Sequence, residues 1–235
     1  MRVLVTRPQP AARLTAERVE AMGHIATELP LFEARHRRDE AFAALSQPHA
    51  AIAVTSAEAI RALGDNEAML SPHVETPVYA VGQATAQAAR TAGFRHVVTG
   101  EGTGEALADI IIADRPGPVL YLAGTPRSCT FEMKLSRAGI VRTIVKCYRM
   151  EPLHYDRAKL SKVIELPPDV VLLYSKQAAV QLCRLLGVEI VASLTCLCLS
   201  QKVAQALPEN SANILVSATP DEAALLQLLA FTDKF

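Results

Sequence analysis

The sequence lacks an excess of charge of either sign. Its 24 lysine and arginine residues equal its 24 aspartate and glutamate residues, so the net charge at neutral pH is zero. Proteins that bind nucleic acids or anionic membrane surfaces usually carry a basic excess, and this balance disfavours both classes. The dense basic cluster at residues 35–38 is interpreted as a solvated linker. An anionic ligand must therefore be held by local groups and not by the field of the whole molecule.

Long hydrophobic runs and a leader sequence are also missing. The apolar runs are far too short to cross a bilayer. The first residues enter a strand directly, and Arg7 and Pro8 interrupt any apolar leader core. Half of the residues are apolar and one fifth are charged, which is typical of globular chains, and 235 residues suffice for one large or two small domains. We therefore expect a cytoplasmic protein.

Cysteine pairs and metal-ligand spacings are absent as well. The cysteines number five, and no Cys-x-x-Cys or Cys/His spacing indicates zinc. Cys196 and Cys198 share one facing in an apolar run, as small core residues do. We expect structural burial for all of them: Cys129, Cys147, Cys183, Cys196 and Cys198.

What the chain does contain is a regular alternation of short apolar strands and helices. The clearest unit is residues 78–93, where an apolar strand meets Gly82, an alanine-rich helix follows, and Gly93 ends it. Its turn presents backbone N–H groups at a helix N-terminus, where an anion can bind, although a single glycine there is also explained by turn geometry. The repeated pattern predicts an α/β protein with parallel sheets.

The two halves of the chain repeat this pattern. Residues 53–56 match residues 172–175, and residues 80–83 match residues 198–201, each pair separated by about half the chain. The near-constant spacing favours duplication over the similarity that any two α/β segments share. Duplication predicts two similar domains that face each other across a cleft, which is a usual place for a ligand.

The ordered set of motifs resembles the uroporphyrinogen-III synthase family. The motifs span nearly the whole chain in the family's order. They are residues 3–8, 54–56, 78–86 with their Gly-x-x-Thr-Ala, 122–124 with Arg127, 145–149 and 174–175. The second half has residues 200–204 in place of a second Gly-x-x-Thr-Ala, which departs from one common version of the family.

The resemblance implies two similar α/β domains, each a parallel sheet flanked by helices, joined by a two-stranded β-ladder with a cleft between them. The expected limits are residues 1–33 and 153–235 for the first, discontinuous domain and 38–145 for the second. Residues 34–37 and 146–152 form the ladder. The implied reaction is cyclisation of hydroxymethylbilane, with inversion of ring D and loss of water, in tetrapyrrole and haem biosynthesis. The resemblance implies no metal and no organic cofactor.

We expect the substrate-binding groups at the turns where strands end. The substrate carries eight carboxylates, and the carboxyl ends of parallel strands share one edge where ligands bind. Each backbone N–H group at a helix start stabilises a carboxylate by about 0.3–1 kcal/mol. The alternative for each serine or threonine is simple helix capping. The expected binding residues are Arg7, Thr55, Ser56, Gly82, Gln83, Gly124, Arg127, Ser175, Lys176, Ser200, Gln201 and Lys202.

Tyr148 is the candidate general acid. The reaction begins when hydroxide leaves the hydroxymethyl group, and an acid assists that step. The resemblance brings Tyr148 near the cleft; the alternative is a half-buried strand tyrosine. His96 and His154 are assigned to surface loops, and neither has a partner at a useful spacing in the sequence. We expect the enzyme mainly to select one conformation of the substrate. In that conformation the reactive azafulvene bonds to the substituted carbon of the last ring.

Two other functions fit the same fold. One is a non-catalytic binding protein for small molecules, which the missing leader disfavours. The other is a regulatory module, which the lack of an appended DNA-binding segment disfavours. We expect a monomer that binds a tetrapyrrole and neither nucleic acid nor membrane.

Overall fold

The chain forms two compact units. The structure, a computed structural model, describes residues 1–64 and 67–232. The first unit comprises Met1–Glu33 and Glu151–Phe235, and the second comprises Ala34–Met150. Parts of the predicted domains 38–145 and 153–235 fall on residues 65–66 and 233–235 and lie outside the described residues.

Strands and helices alternate along the described chain. The strands are β1 (Arg2–Val5), β2 (Ile25–Glu28), β3 (Phe32–His36), β4 (Ala51–Val54), β5 (Val78–Ala80), β6 (Val97–Thr99), β7 (Val119–Thr125), β8 (Arg142–Pro152), β9 (Val170–Leu173), β10 (Thr195–Cys198) and β11 (Asn213–Val216). The helices are α1 (Ala11–Ala21), α2 (Arg38–Leu45), α3 (Ala57–Arg61), α4 (Glu67–Leu70), α5 (Gln83–Thr91), α6 (Gly104–Asp114), α7 (Thr130–Arg137), α8 (Arg157–Glu165), α9 (Lys176–Leu186), α10 (Val188–Ser193), α11 (Gln201–Ala204) and α12 (Glu222–Thr232). A 3-10 turn at Ser71–His73 follows α4.

The sheet of the first unit has the order β11-β10-β9-β1-β2, and its pairings are parallel. Helices cover both faces, so its central strands are apolar throughout: Leu4 packs into one core cluster, while Val3 and Val5 pack into another with Leu229 of α12. The turns after β1, β9 and β10 consequently line one carboxyl edge.

The sheet of the second unit has the order β3-β8-β7-β4-β5-β6, and the five strands from β8 to β6 are parallel. Alternate residues of β4 pack on opposite faces, Ile52 in one core cluster and Ala53 in the other. The register between β7 and β8 shifts after Ala123, because Ala123 faces Lys146 while Gly124 faces Tyr148. This shift is a β-bulge in β8 at Cys147.

The predicted α/β fold with parallel sheets is confirmed. The chain after Ile25 is divided around Pro30 into β2 and β3, as the position of the proline predicts, since proline cannot donate to a strand ladder. Helix α10 was not predicted, because Val188–Ser193 is short and follows Gly187 directly.

Two sequence-based interpretations are wrong in part. Residues 35–38 are solvated as expected, with Arg35, Arg37 and Arg38 exposed, but they are not an irregular linker, because they end β3 and begin α2. The expectation of burial for every cysteine fails at Cys129, which is exposed, and at Cys183, which is partly exposed. Both lie on or next to helices whose outer faces meet solvent, whereas the three buried cysteines lie in strands.

The two-stranded ladder expected at residues 34–37 and 146–152 stays a prediction. In the second unit, the Arg37 N–H donates to the Cys147 carbonyl oxygen over 2.8 Å, and β3 is the neighbour of β8 in the sheet. In the first unit, the Leu153 N–H donates to the Leu31 carbonyl oxygen over 3.0 Å.

None of the helices in the described ranges is long and apolar enough to span a bilayer.

Candidate functional site

The carboxyl edge of the second unit's sheet brings together several of the predicted site residues. Thr55 and Ser56 follow β4, Gly124 lies near the end of β7, and Tyr148 lies on β8. These three strands are neighbours in the order β8-β7-β4, and all are parallel. Residues that the sequence separates widely therefore lie side by side at one edge.

Tyr148 is more buried than a half-exposed strand tyrosine, with 9% of its surface exposed. Burial raises the pKa of the Tyr148 phenol above its ordinary value, although the nearby Ser56 side chain acts in the opposite direction. The phenol is therefore protonated at neutral pH and holds a proton that it could donate.

A second phenol lies at this edge and was missed by the sequence analysis. The Tyr121 hydroxyl lies 2.8 Å from Thr55 Oγ1, and its ring packs edge-on against Phe131 with 4.8 Å between centroids. Burial raises the pKa of Tyr121. A tyrosine inside the apolar strand β7 requires a partner for its hydroxyl, and this requirement was the available signal. Thr55 is thus engaged with a neighbouring strand.

Arg127 is one of the predicted binding residues. In the structure its Nε donates a hydrogen bond to Glu132 on α7, and its NH1 donates to the Gly124 carbonyl oxygen over 3.4 Å. The hydrogen bond to Glu132 raises the pKa of the Arg127 guanidinium. Both side chains are largely buried. The charge of Arg127 is consequently compensated within its own loop and helix.

Ser56 has a structural task that matches the capping alternative. Its hydroxyl accepts a hydrogen bond from the Glu58 N–H over 3.2 Å at the start of α3. The Glu58 carboxylate is itself buried, with His36 Nε2 at 2.9 Å and an Arg61 guanidinium nitrogen at 2.6 Å. Buried carboxylates require such partners. Glu58 was not singled out from the sequence, because His36 lies on a different element.

Gly82 and Gln83 lie after the neighbouring strand β5. Gly82 precedes helix α5, and Gln83 is its first residue. The backbone of Gly82 is extended, and a Cβ there would lie 3.3 Å from the Gly102 Cα. The Gly102 N–H donates to the Val81 carbonyl oxygen over 2.7 Å, so the turns after β5 and β6 approach closely. Gln83 is exposed. Glycine at position 82 is therefore explained by the approach of two turns.

The carboxyl edge of the first unit's sheet centres on a carboxylate that the sequence analysis missed. Arg7 NH1 lies 2.7 Å from Glu222 Oε1, and the Arg7 guanidinium lies over the Tyr174 ring at 4.4 Å from its centroid. Thr15, Arg18 and the Tyr174 hydroxyl also bond to Glu222. Burial alone would raise the pKa of Glu222, but the Thr15 hydrogen bond and the arginine charges outweigh it and lower the pKa.

The remaining predicted binding residues lie at the same edge of the first unit. Ser175 accepts a hydrogen bond from the Ala178 N–H over 3.1 Å and caps α9, and Lys176 begins that helix with an exposed side chain. Ser200 precedes the short helix α11 without a side-chain cap. Gln201 and Lys202 are exposed in that helix. A binding role for all of them stays a prediction.

The two histidines considered in the sequence analysis are His96 and His154. His96 Nε2 lies 2.9 Å from Glu75, which is 21 residues away along the chain. It precedes β6 and therefore lies at the amino edge of its sheet. His154 is exposed. Across residues 1–64 and 67–232, no three histidine, cysteine or acidic side chains are grouped as a metal ion would require.

Comparison with known proteins gives one family. Residues 14–227 match the family model described as uroporphyrinogen-III synthase HemD. No curated protein matches the chain in sequence.

Two solved structures show the same fold. The chain is similar to the uroporphyrinogen-III synthetase of Helicobacter pylori, with a TM-score of 0.70, 18% identity and 98% of each chain covered. It is also similar to a mutant uroporphyrinogen III synthase of Thermus thermophilus, with a TM-score of 0.58, 18% identity, and 100% of this chain and 99% of that chain covered. At this identity the likeness concerns the fold.

Proposed function

The chain belongs to the uroporphyrinogen-III synthase family, and from this membership we infer that it is a lyase that cyclises hydroxymethylbilane to uroporphyrinogen III. The observation that carries the inference is the match of the family model to residues 14–227. The product places the enzyme in tetrapyrrole and haem biosynthesis. A purely binding or regulatory role is not favoured.

The chemistry requires little from the protein beyond conformation and one proton. The hydroxyl of the substrate's hydroxymethyl group takes up a proton and leaves as water, while the pyrrole nitrogen supplies the electrons that form an azafulvene. The substituted carbon of ring D then attacks the azafulvene, and rearrangement with loss of a proton closes the inverted ring. Tyr148 is proposed as the proton donor, supported by its protonated state at neutral pH and its place at a strand-end edge.

Binding of the carboxylates is assigned to the strand-end turns of each sheet. Arg7 and Arg127 are already paired with Glu222 and Glu132, so they add little net charge. A guanidinium carries five N–H donors, and a paired arginine can still direct one of them to a substrate carboxylate. Recognition by oriented donors agrees with a protein whose net charge is zero.

The domain connection, location, oligomeric state and cofactor requirement complete the proposal. We assign residues 34–37 and 146–152 to a ladder between two domains, supported by the passage of the chain between the units at Glu33–Ala34 and Met150–Glu151. We also infer a cytoplasmic monomer that binds no nucleic acid and needs no cofactor. The balanced charge supports the second point, and a substrate that carries its own leaving group supports the third.

The decisive experiment is the isomer ratio of the product. Purified protein is supplied with hydroxymethylbilane, the products are oxidised, and type I and type III isomers are separated by chromatography. Without enzyme the substrate closes without inversion and gives type I. We expect an excess of type III that grows with enzyme concentration. Type I alone, at every enzyme concentration, would reject the proposed function.

A further inference from the structure

We propose that Gly124 is a positioning residue, whose bare Cα and the adjacent bulge of β8 form a seat for the phenol of Tyr148. The placement of the phenol follows from the close contacts between β7 and β8. Its catalytic consequence rests on the proposed function, in which Tyr148 donates a proton.

The first observation is the space above Gly124. A Cβ added there would lie 2.2 Å from Tyr148 Cζ and 2.4 Å from the Tyr148 hydroxyl oxygen. Atoms of folded proteins do not approach so closely, since ordinary carbon contacts lie at about 3.5–4.0 Å. Gly124 lies within β7 and is not among the glycines with a positive φ. Its lack of a side chain is therefore required by the phenol and not by its own backbone.

The second observation is the bulge that directs Tyr148 onto this glycine. Successive residues of a regular strand point to opposite faces, yet Cys147 and Tyr148 are both buried in one core cluster. The extra residue at Cys147 breaks the alternation, and the Cys147 thiol donates to the Ala123 carbonyl oxygen over 3.5 Å. Bulges characteristically re-aim a side chain in this way.

The third observation is the position of Ser56 beside the phenol. The Ser56 side chain interacts electrostatically with Tyr148 and also caps α3. Neighbouring strands thus fix the phenol, with Gly124 on β7 beneath it and Ser56 at the end of β4. Contact with the phenol therefore explains why glycine occupies position 124, although its backbone is not left-handed.

An alanine at position 124 would meet the end of the Tyr148 side chain. The ring tip would have to move by roughly 1 Å or more to restore an ordinary contact. Such a shift separates the hydroxyl from Ser56 and exposes it to water. Because burial raises the pKa of Tyr148, exposure lowers the pKa toward the ordinary value for tyrosine.

NMR of the Tyr148 phenol tests the proposal directly. The protein is prepared with tyrosine labelled with ¹³C at Cζ, and Tyr148→Phe assigns the signal. We expect Gly124→Ala to shift the Tyr148 signal at pH 7 and to lower its apparent pKa. Gly104→Ala is the matched control, because a Cβ there meets only Phe131, at 3.3 Å, and it should leave the signal unchanged. An unchanged Tyr148 signal and titration in Gly124→Ala would overturn the seat.

A double-mutant cycle in thermal stability distinguishes loss of this contact from a general folding defect. Gly124→Ala is expected to lower the Tm of the native protein but to have little effect in a Tyr148→Ala background, because the ring that it meets is absent. Equal losses of Tm in both backgrounds would show that Gly124 serves another purpose, and the seat would be rejected.

Kinetics then separate the seat from the proposed function. If Tyr148 is the acid, Gly124→Ala lowers kcat at least about tenfold with little change in KM, as Tyr148→Phe does. A shifted Tyr148 signal with an unchanged kcat in both variants would uphold the seat and remove Tyr148 as the acid. Type I product alone from the native enzyme would reject the function while leaving the NMR result to decide the seat.

Discussion

At the scale of single residues, both sheets use the same arrangement near the end of a strand. Arg7 follows β1 and pairs with Glu222, while Arg127 follows β7 and pairs with Glu132. Each glutamate is mostly buried, so the ion pair orients the guanidinium and removes its net charge. The charge that Arg7 and Arg127 can add to a binding site is therefore largely compensated, although directed hydrogen bonds remain available.

Tyr148→Phe tests the acid at this scale. Removing one hydroxyl keeps the ring and its packing, so we expect folding to persist while kcat falls at least about tenfold. Tyr155→Phe is the control, because the Tyr155 hydroxyl donates to the Pro30 carbonyl oxygen over 2.6 Å and lies outside the proposed site. A smaller loss in Tyr148→Phe, measured as formation of the type III isomer, would exclude Tyr148 as an essential acid.

A pair of variants separates the helix-capping role of Ser175 from its proposed role in substrate binding. Ser175→Ala should reduce the free energy of unfolding by about 1 kcal/mol, because the cap of α9 is lost. Thr103→Ala removes the cap of α6 and should have a similar effect on stability.

The two variants should differ in substrate affinity. If the Ser175 hydroxyl also donates to a carboxylate, its loss raises KM several-fold, corresponding to about 1 kcal/mol. Thr103→Ala should leave KM unchanged. Equal KM values in Ser175→Ala and the native enzyme would reduce Ser175 to a helix cap.

At the scale of elements, helix α12 is fastened through its first residue. Glu222 contacts Thr15 and Arg18 on α1 as well as Arg7 after β1, while Leu225 and Leu229 pack in the core beneath. The carboxylate therefore joins the last helix to the first helix and to the end of the first strand. Its many partners predict a larger effect on stability than a surface ion pair would have.

Glu222→Gln measures this contribution and its pH dependence. We expect a loss of about 1–3 kcal/mol in the free energy of unfolding at pH 7, because charged donors lose their acceptor. The pKa of Glu222 is lowered in the folded state. Its stabilising effect is therefore complete above the ordinary pKa of about 4.3 and is lost as pH falls through the lower folded value.

Denaturant unfolding of both proteins from pH 7 to pH 3 checks the prediction. The difference in stability between native protein and Glu222→Gln should shrink as the pH falls below the ordinary carboxyl range. Glu17→Gln is the control, because Glu17 pairs with Arg13 on the exposed face of α1 and should change stability little. A difference that stays constant down to pH 3 would contradict the assigned cause.

At the scale of the whole molecule, the two units share one topology. Read from one edge, the first sheet runs β2-β1-β9-β10-β11, and the parallel part of the second runs β8-β7-β4-β5-β6. Each sheet combines the first two strands of one half of the chain with three strands of the other half. The repeat in the sequence thus corresponds to two sheets built to one plan, each assembled from both halves.

This plan explains where sequence reasoning was reliable and where it was not. The strand–turn–helix units at Gly82 and Ser175 depend on neighbours within a few residues, so local patterns predicted them. Partners such as Glu222 for Arg7 lie 215 residues away along the chain. No local pattern carries that information, since pairing across a sheet depends on strand order. The shared facing of Cys147 and Tyr148 was likewise hidden, because a bulge breaks the alternation on which facing is predicted.

The sequence by itself determined the α/β class, the parallel strands and the family, because apolar periodicity, turn residues and motif order are local properties of the chain. The tertiary structure alone decided which charges are compensated and where the phenol of Tyr148 lies. Those features depend on the register of β7 against β8 and on helices from distant parts of the chain. A glycine that sequence analysis assigned to ligand binding proves to be the residue whose missing side chain makes room for Tyr148.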